Sequence, residues 1–154
     1  MMMKPMIYIL LSLIWGSGFL TSCECCRGKE VPYELAKGYY VYVDVKDEDV
    51  PTKICSHDEL VKYFGYATVM GLKHKPTIID FSRNFVIPIV YPVTDRDTKI
   101  LIDRFVRTSP DEIFLDVKIW QDTVSRSFTI RPFQLVIVDN RYKDKNLRVS
   151  IGAQ

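Results

Sequence analysis

Between Gly38 and Ile151, apolar and polar side chains trade places in short runs with a period of two, the spacing of strands that bury one face. Tyr39, Val41, Val43 and Val45 alternate with Tyr40, Tyr42 and Asp44, and a turn-rich stretch from Lys46 to Pro51 follows. Phe85, Ile87, Ile89 and Tyr91 repeat the pattern, Pro92 to Asp97 reads as a polar turn, and an apolar strand runs from Lys99 to Arg107. Thr108 to Asp111 turns the chain again. The next run is the cleanest: Ile113, Leu115, Val117 and Ile119 should face in, with Glu112, Asp116 and Lys118 facing out. Phe128 and Ile130 fall on even positions but Phe133, Leu135 and Ile137 on odd ones, which predicts a bulge or bend at Arg131-Pro132. Leu147, Val149 and Ile151 supply a last strand.

One segment departs from this period. Ser56-His57-Asp58-Glu59 has the form of a capping box, in which the Ser56 hydroxyl accepts a first-turn N–H and Glu59 reaches back to the N–H of Ser56. Leu60, Val61 and Phe64 share a face beyond it, and Gly65 can supply a left-handed stop. So short a helix is unstable alone and must pack on a sheet or on the open end of a barrel. No helical crossover separates the strands, so neighbours should be antiparallel. The pattern therefore predicts a mainly β fold: an antiparallel up-and-down β-barrel of about eight strands with one short helix packed on it, a single domain over 38–154.

The chain ahead of that domain has another character. A single Lys4 precedes an apolar run from Pro5 to Leu20 in which the small residues Gly16, Ser17 and Gly18 follow Met6 to Trp15, the order of a secretory signal peptide. The run falls short of the roughly 20 residues of a comfortable membrane span, and no charge cluster stops it. Leu20-Thr21-Ser22-Cys23 resembles a bacterial lipobox, with Ser22 where Gly or Ala is usual. The resemblance implies a signal peptide over 1–22 and lipid on Cys23, which would become the first residue of the mature chain. Each buried methylene of an acyl chain contributes on the order of 0.8 kcal/mol, so two or three chains hold a protein stably at a membrane where one does not. Residues 23–37, with Gly28, Pro32 and mixed charge, read as a lipidated flexible tether.

Charge narrows the partners. The 154 residues carry a formal charge of +2, and loss of Lys4 with the signal lowers it to +1, with acids and bases interspersed, so nothing steers the protein to nucleic acid. Cys25, Cys26 and Cys55 remain after lipidation of Cys23; an exported compartment permits a bond from Cys25 or Cys26 to Cys55. His57 and His74 lack ligand spacing and no second Cys-x-x-Cys pair exists, so neither metal nor cofactor is expected. The sequence contains no His-Glu-x-x-His, no Gly-x-Ser-x-Gly and no glycine-rich phosphate loop, and a non-enzymatic role is expected. His57 and Asp58 are neighbours in a first turn and point apart. Tyr40 and Tyr42, on the outer face of their strand, are unusual decoration for a surface that touches nothing.

Ile79-Asp80-Phe81-Ser82, Phe85 to Val90, and Ser127 to Phe133 ahead of a final strand pair resemble segments of small Bacteroidota lipoproteins. With the lipobox and strand pattern, the chain is similar to the potempins, lipoproteins of the outer membrane that inhibit the bacterium's own secreted peptidases, with a weaker likeness to the C-terminal domain of protease-complex accessory proteins. The resemblance implies a cell-surface, lipid-anchored inhibitor whose partner is a secreted peptidase of the metallo or serine class. It transfers no inhibitory residue. A barrel protrudes at its turns and its leader, so the candidate contacts are Glu24 to Val31, Leu72 to Lys75, Thr94 to Asp97 and Thr123 to Arg126. The favoured loop is Thr94, Asp95, Arg96 and Asp97, whose aspartates could approach a catalytic metal and whose arginine could enter an acidic pocket. Two other roles fit the same pattern: a carrier of a small apolar ligand inside the barrel, and a structural lipoprotein of the envelope.

Overall fold

The structure, a computed structural model, describes residues 28–67 and 75–153. Its strands are β1 (Lys29–Glu30), β2 (Tyr33–Ala36), β3 (Tyr39–Val41), β4 (Phe64–Tyr66), β5 (Asn84–Val90), β6 (Thr94–Ser109), β7 (Glu112–Ile130), β8 (Phe133–Asp139) and β9 (Asn146–Ala153), with one helix, α1 (His57–Tyr63). They form a four-stranded sheet in the order β1-β6-β7-β9, a three-stranded sheet in the order β2-β8-β5, and the pair β3-β4.

No sheet closes into a barrel, and the predicted barrel is corrected to two open sheets packed face to face with a third layer behind. The overturned step is the inference that strands without helical crossovers must all be antiparallel. β9 runs parallel to β7, from Glu112↔Asn146 to Ile119↔Ala153. The crossover that parallel pairing requires is supplied by β8, which lies in the other sheet, and by the short turn Asn140–Tyr142. The parity change at Arg131-Pro132 is where the chain leaves one sheet for the other: β7 ends at Ile130, and β8 starts at Phe133 between β2 and β5.

Two apolar clusters explain why the sheets stack. Phe85, Ile87 and Ile89 of β5 and Val136 and Val138 of β8 meet Phe105 of β6 and Ile113, Leu115, Val117 and Ile119 of β7 between the sheets. The alternation read from Glu112 to Ile119 holds, with every odd residue buried. Val86 of β5 and Leu135 and Ile137 of β8 face the opposite way and pack against Tyr39, Ile54, Leu60 and Phe64. The central sheet is thus buried on both faces, which is why β5 and β8 contain unbroken apolar runs. Among the described residues, the side chains of the first cluster occupy the space between the sheets.

Helix α1 belongs to the third layer. Glu59 N–H donates to the Ser56 hydroxyl (3.2 Å) as the capping box predicts, but the Glu59 carboxylate accepts from Cys55 N–H (2.9 Å), one residue upstream of the predicted donor. Gly65 is not a left-handed stop. Its chain is extended in β4, and a Cβ there would collide with the Tyr40 ring across the β3-β4 pair. Among the described residues, the left-handed glycine is Gly38, with φ 78°, where β2 turns into β3.

Upstream, the predicted tether is described only from Gly28 onward. Val31 and Ala36 are buried, and β1 and β2 pair with β6 and β8, so residues 29–36 belong to the folded body. The signal segment, Cys23, Cys25, Cys26 and the candidate contact Leu72 to Lys75 (described only at Lys75) otherwise lie outside the described residues.

Candidate functional site: a bulged arm and the groove at its base

β6 and β7 form a long antiparallel ribbon that begins in the core and runs past it. Near the turn at Pro110-Asp111, its strands are buried on one face; beyond Trp120 they are not. The outer part is irregular. Thr94 pairs with Ile130, Arg96 with Ser125 and Thr98 with Gln121, so four steps along β6 are matched by nine along β7. The surplus residues have no partner opposite and bow outward. Thr123 to Thr129 are all exposed, and two of them are large apolar residues: Val124 is 65% and Phe128 56% exposed.

Polar contacts hold this arm to its straighter rail. Gln121 donates from Nε2 to the hydroxyls of Thr94 (2.8 Å) and Thr98 (3.3 Å), and the Thr98 hydroxyl donates to the Arg96 carbonyl (3.0 Å). Arg126 bonds Asp97 at 3.1 Å. That ion pair is surface-exposed and contributes under about 1 kcal/mol, enough to orient the arm without setting the fold's stability.

A groove of about 400 Å³ opens at the base of the arm. Tyr40, Val43, Val93, Thr129, Ile130 and Phe133 are among its lining residues. Val43 is almost fully exposed and Tyr40 and Val93 about half, a density of bare apolar surface that marks interaction sites more often than ordinary solvent-facing sheet. Arg131 builds the groove wall. Its guanidinium donates to the carbonyls of Tyr42 (3.3 Å) and Val45 and to the Asp47 carboxylate, pinning residues 42–47 beside the point where the chain changes sheets.

The sequence-predicted residues are redistributed by this geometry. Thr94, Asp95, Arg96 and Asp97 are not a hairpin tip; they form the first turnless stretch of β6, the straight rail of the arm. Thr123 to Arg126 is no turn either, being the interior of β7. The structure nevertheless brings these two candidate segments together, Asp97 to Arg126. Sequence reasoning missed Val124, Phe128, Val43 and Val93 as surface features, because an apolar residue in a strand-like run is assigned to a core by default. The one available signal was Tyr40 on the outer face of its strand.

A second concavity, of about 520 Å³, lies beside α1 and is lined by Tyr39, His57, Leu60, Tyr66, Ile78 and Phe81, among others. His57 stacks on Tyr66, and the Tyr39 hydroxyl donates to the Thr77 carbonyl at 2.7 Å. Burial and the neighbouring Tyr66 hydroxyl push the Tyr39 phenol up to about 12. Tyr39 is therefore a neutral hydrogen-bond donor at physiological pH, tying β3 to the segment at Thr77, and it is unsuited to act as a base. Among the described residues, no group of three or more His, Cys, Asp or Glu side chains is placed to hold a metal ion, and no helix is long and apolar enough to cross a membrane.

The sheets make this a mixed, mostly antiparallel β protein with one short helix, and the arm and groove leave several apolar side chains exposed. No family model matches the chain, and neither a curated protein nor a solved structure matches it significantly.

Proposed function

We propose that this protein is a lipid-anchored, non-enzymatic inhibitor of a secreted bacterial peptidase, held at the outer membrane through Cys23 and engaging its partner with the bulged arm of β7. The observation that carries the reading is the arm itself, an exposed segment with bare Val124 and Phe128 flanking Arg126, held to β6 through Gln121 at one end and Ile130 at the other. A binder that enters a cleft needs a protrusion whose conformation is set before association, since each side chain ordered on binding costs about 0.5–1.5 kcal/mol. Arginine is among the residue types that dominate contact energies, and the apolar groups of Val124 and Phe128 on either side of Arg126 can exclude water around it. The groove beside Tyr40 and Val43 would receive the rim of the partner.

The role of Thr94 to Asp97 changes accordingly: they brace the arm, and Asp97 orients Arg126. Inhibition should fall at least tenfold in the triple variant Val124→Ala, Arg126→Ala, Phe128→Ala, whose melting temperature should stay within a few degrees of the parent, because these side chains are exposed. Titration against secreted metallo- and serine peptidases of the same bacterium measures both. Failure of the unmutated protein to inhibit any of them removes the inhibitor reading.

The anchoring half stands on the Leu20-Thr21-Ser22-Cys23 motif and is tested separately. Cys23→Ala should release the protein from membranes or leave an unprocessed precursor. Persistent labelling of that variant with a radioactive fatty acid refutes lipidation at this position.

A further inference from the structure

The two larger sheets end on four strands, three of which are short or interrupted, although β1 covers β6 only at Val106 and Arg107. β1 is two residues long, β2 is four and carries Glu34, and β5 carries Pro88 and is bridged by Ile54 at Val86. The direction of the Ile54–Val86 bonds shows that even-numbered β5 residues turn their backbone groups outward, so Pro88 removes an N–H from the open side.

The fourth edge, β9, is eight residues long, contains no proline, and carries a single charge, at Arg148. Asn146 N–H donates to the Asp111 carbonyl at 2.7 Å, the register in which even-numbered β9 residues bond to β7. In a parallel ladder, both backbone groups of the intervening residues point away. Leu147, Val149 and Ile151 therefore offer N–H and C=O groups at the open edge, and no strand among the described residues pairs with them. Their side chains face the core side, where Leu147 packs on the cluster between the sheets. Sheet β2-β8-β5 has one strand fewer, so Val149 and Ile151 overhang it, 42% and 53% exposed, lining an apolar groove with Ile87, Ile89, Val90 and Val50.

We propose that β9 pairs antiparallel with β9 of a second copy of this chain, joining two four-stranded sheets into one across a two-fold axis at Val149. The edge is self-complementary in that register. Val149 meets Val149, Leu147 meets Ile151, and the three outward-facing residues of each copy exchange about six backbone hydrogen bonds. On the other face, Arg148, the only charged residue of β9, falls opposite Ser150 and not opposite its own counterpart. Each Arg148 also has a carboxylate of its own chain within reach, Glu112 at 3.4 Å, so the two arginines approach without an unbalanced charge. The core-side residues of both copies then lie on one face and cover the overhanging strip. This proposal is independent of the peptidase reading.

Arg148 and Ser150 of facing copies form a pair without mutual backbone hydrogen bonds, the closer of the two antiparallel spacings, about 4.5 Å between Cα atoms and within disulfide reach. The test is oxidative cross-linking of the full-length protein in its own membranes, comparing Arg148→Cys, Ser150→Cys and the double variant. The double variant should give a band of twice the monomer mass at several times the intensity seen with either single variant. The four native cysteines are common to all three, so the difference reads only the introduced pair. Adding Val149→Pro, which deletes an outward N–H while leaving the β7 ladder intact, should remove the band. Equal bands in single and double variants, no dimer band, or a band that survives Val149→Pro overturns the proposal.

Discussion

Val117→Asp should lower the melting temperature by more than 10 °C, while Lys118→Asp, one residue along, should leave it nearly unchanged. Val117 is fully buried between the sheets, paired with Ile102 on one side and Ile151 on the other, in a cluster with Phe85, Ile87 and Val136. A carboxylate placed there finds no partner and must either be buried charged or take up a proton. With the lost valine packing, this costs about 3–5 kcal/mol. Lys118 points the other way and bonds Asp103 at 2.8 Å, both side chains well exposed. Reversing its charge replaces a weak attraction with a weak repulsion, a difference of about 1 kcal/mol or less. Equal thermal shifts in the two variants would show that the faces of β7 are wrongly assigned.

Arg131→Ala is expected to be the most damaging substitution of a charged residue, destabilising the protein by about 2–4 kcal/mol. Its side chain is only 12% exposed, and its guanidinium spans the carbonyls of Tyr42 and Val45 as well as the Asp47 carboxylate. Removing it leaves the Val45 carbonyl without its donor and the Tyr42 carbonyl with only the 3.4 Å bond from Val45 N–H, whereas Asp47, half exposed, can return to water. Arg131→Lys should recover less than half of the loss, because a point charge cannot bridge three acceptors as a planar fork does. Arg126→Ala is the matched comparison: its single exposed ion pair with Asp97 is worth under about 1 kcal/mol. Denaturant unfolding measures all three. Because Arg131 holds the wall that carries Val43, its loss should also speed amide exchange over residues 42–47; slow exchange there in Arg131→Ala would show that the segment is held by other contacts.

Local periodicity by itself determined most of the strands and the faces of the most regular one. Ile113 to Ile119 alternates in the sequence and in the structure, because a strand half-covered by another sheet imposes a strict period of two. The start of α1 was equally legible, since capping is settled by residues three apart, Ser56 and Glu59. Its end was not: Gly65 lies extended in β4 against the ring of Tyr40, a residue 25 positions earlier, and does not form a left-handed stop. Partners in a sheet are likewise chosen over long separations by total burial, which no local pattern encodes. The parity change at Arg131-Pro132 announced a discontinuity, but a bulge, a bend and a change of sheet give the same signature in one dimension. Only packing decided among them, and with that choice went the barrel, the parallel pairing of β9 and the open edge it leaves. The arm escaped notice for the converse reason. Val124 and Phe128 sit in a run with strand composition, and their exposure follows from β7 outrunning β6, a mismatch in length that exists only once the two strands are laid side by side.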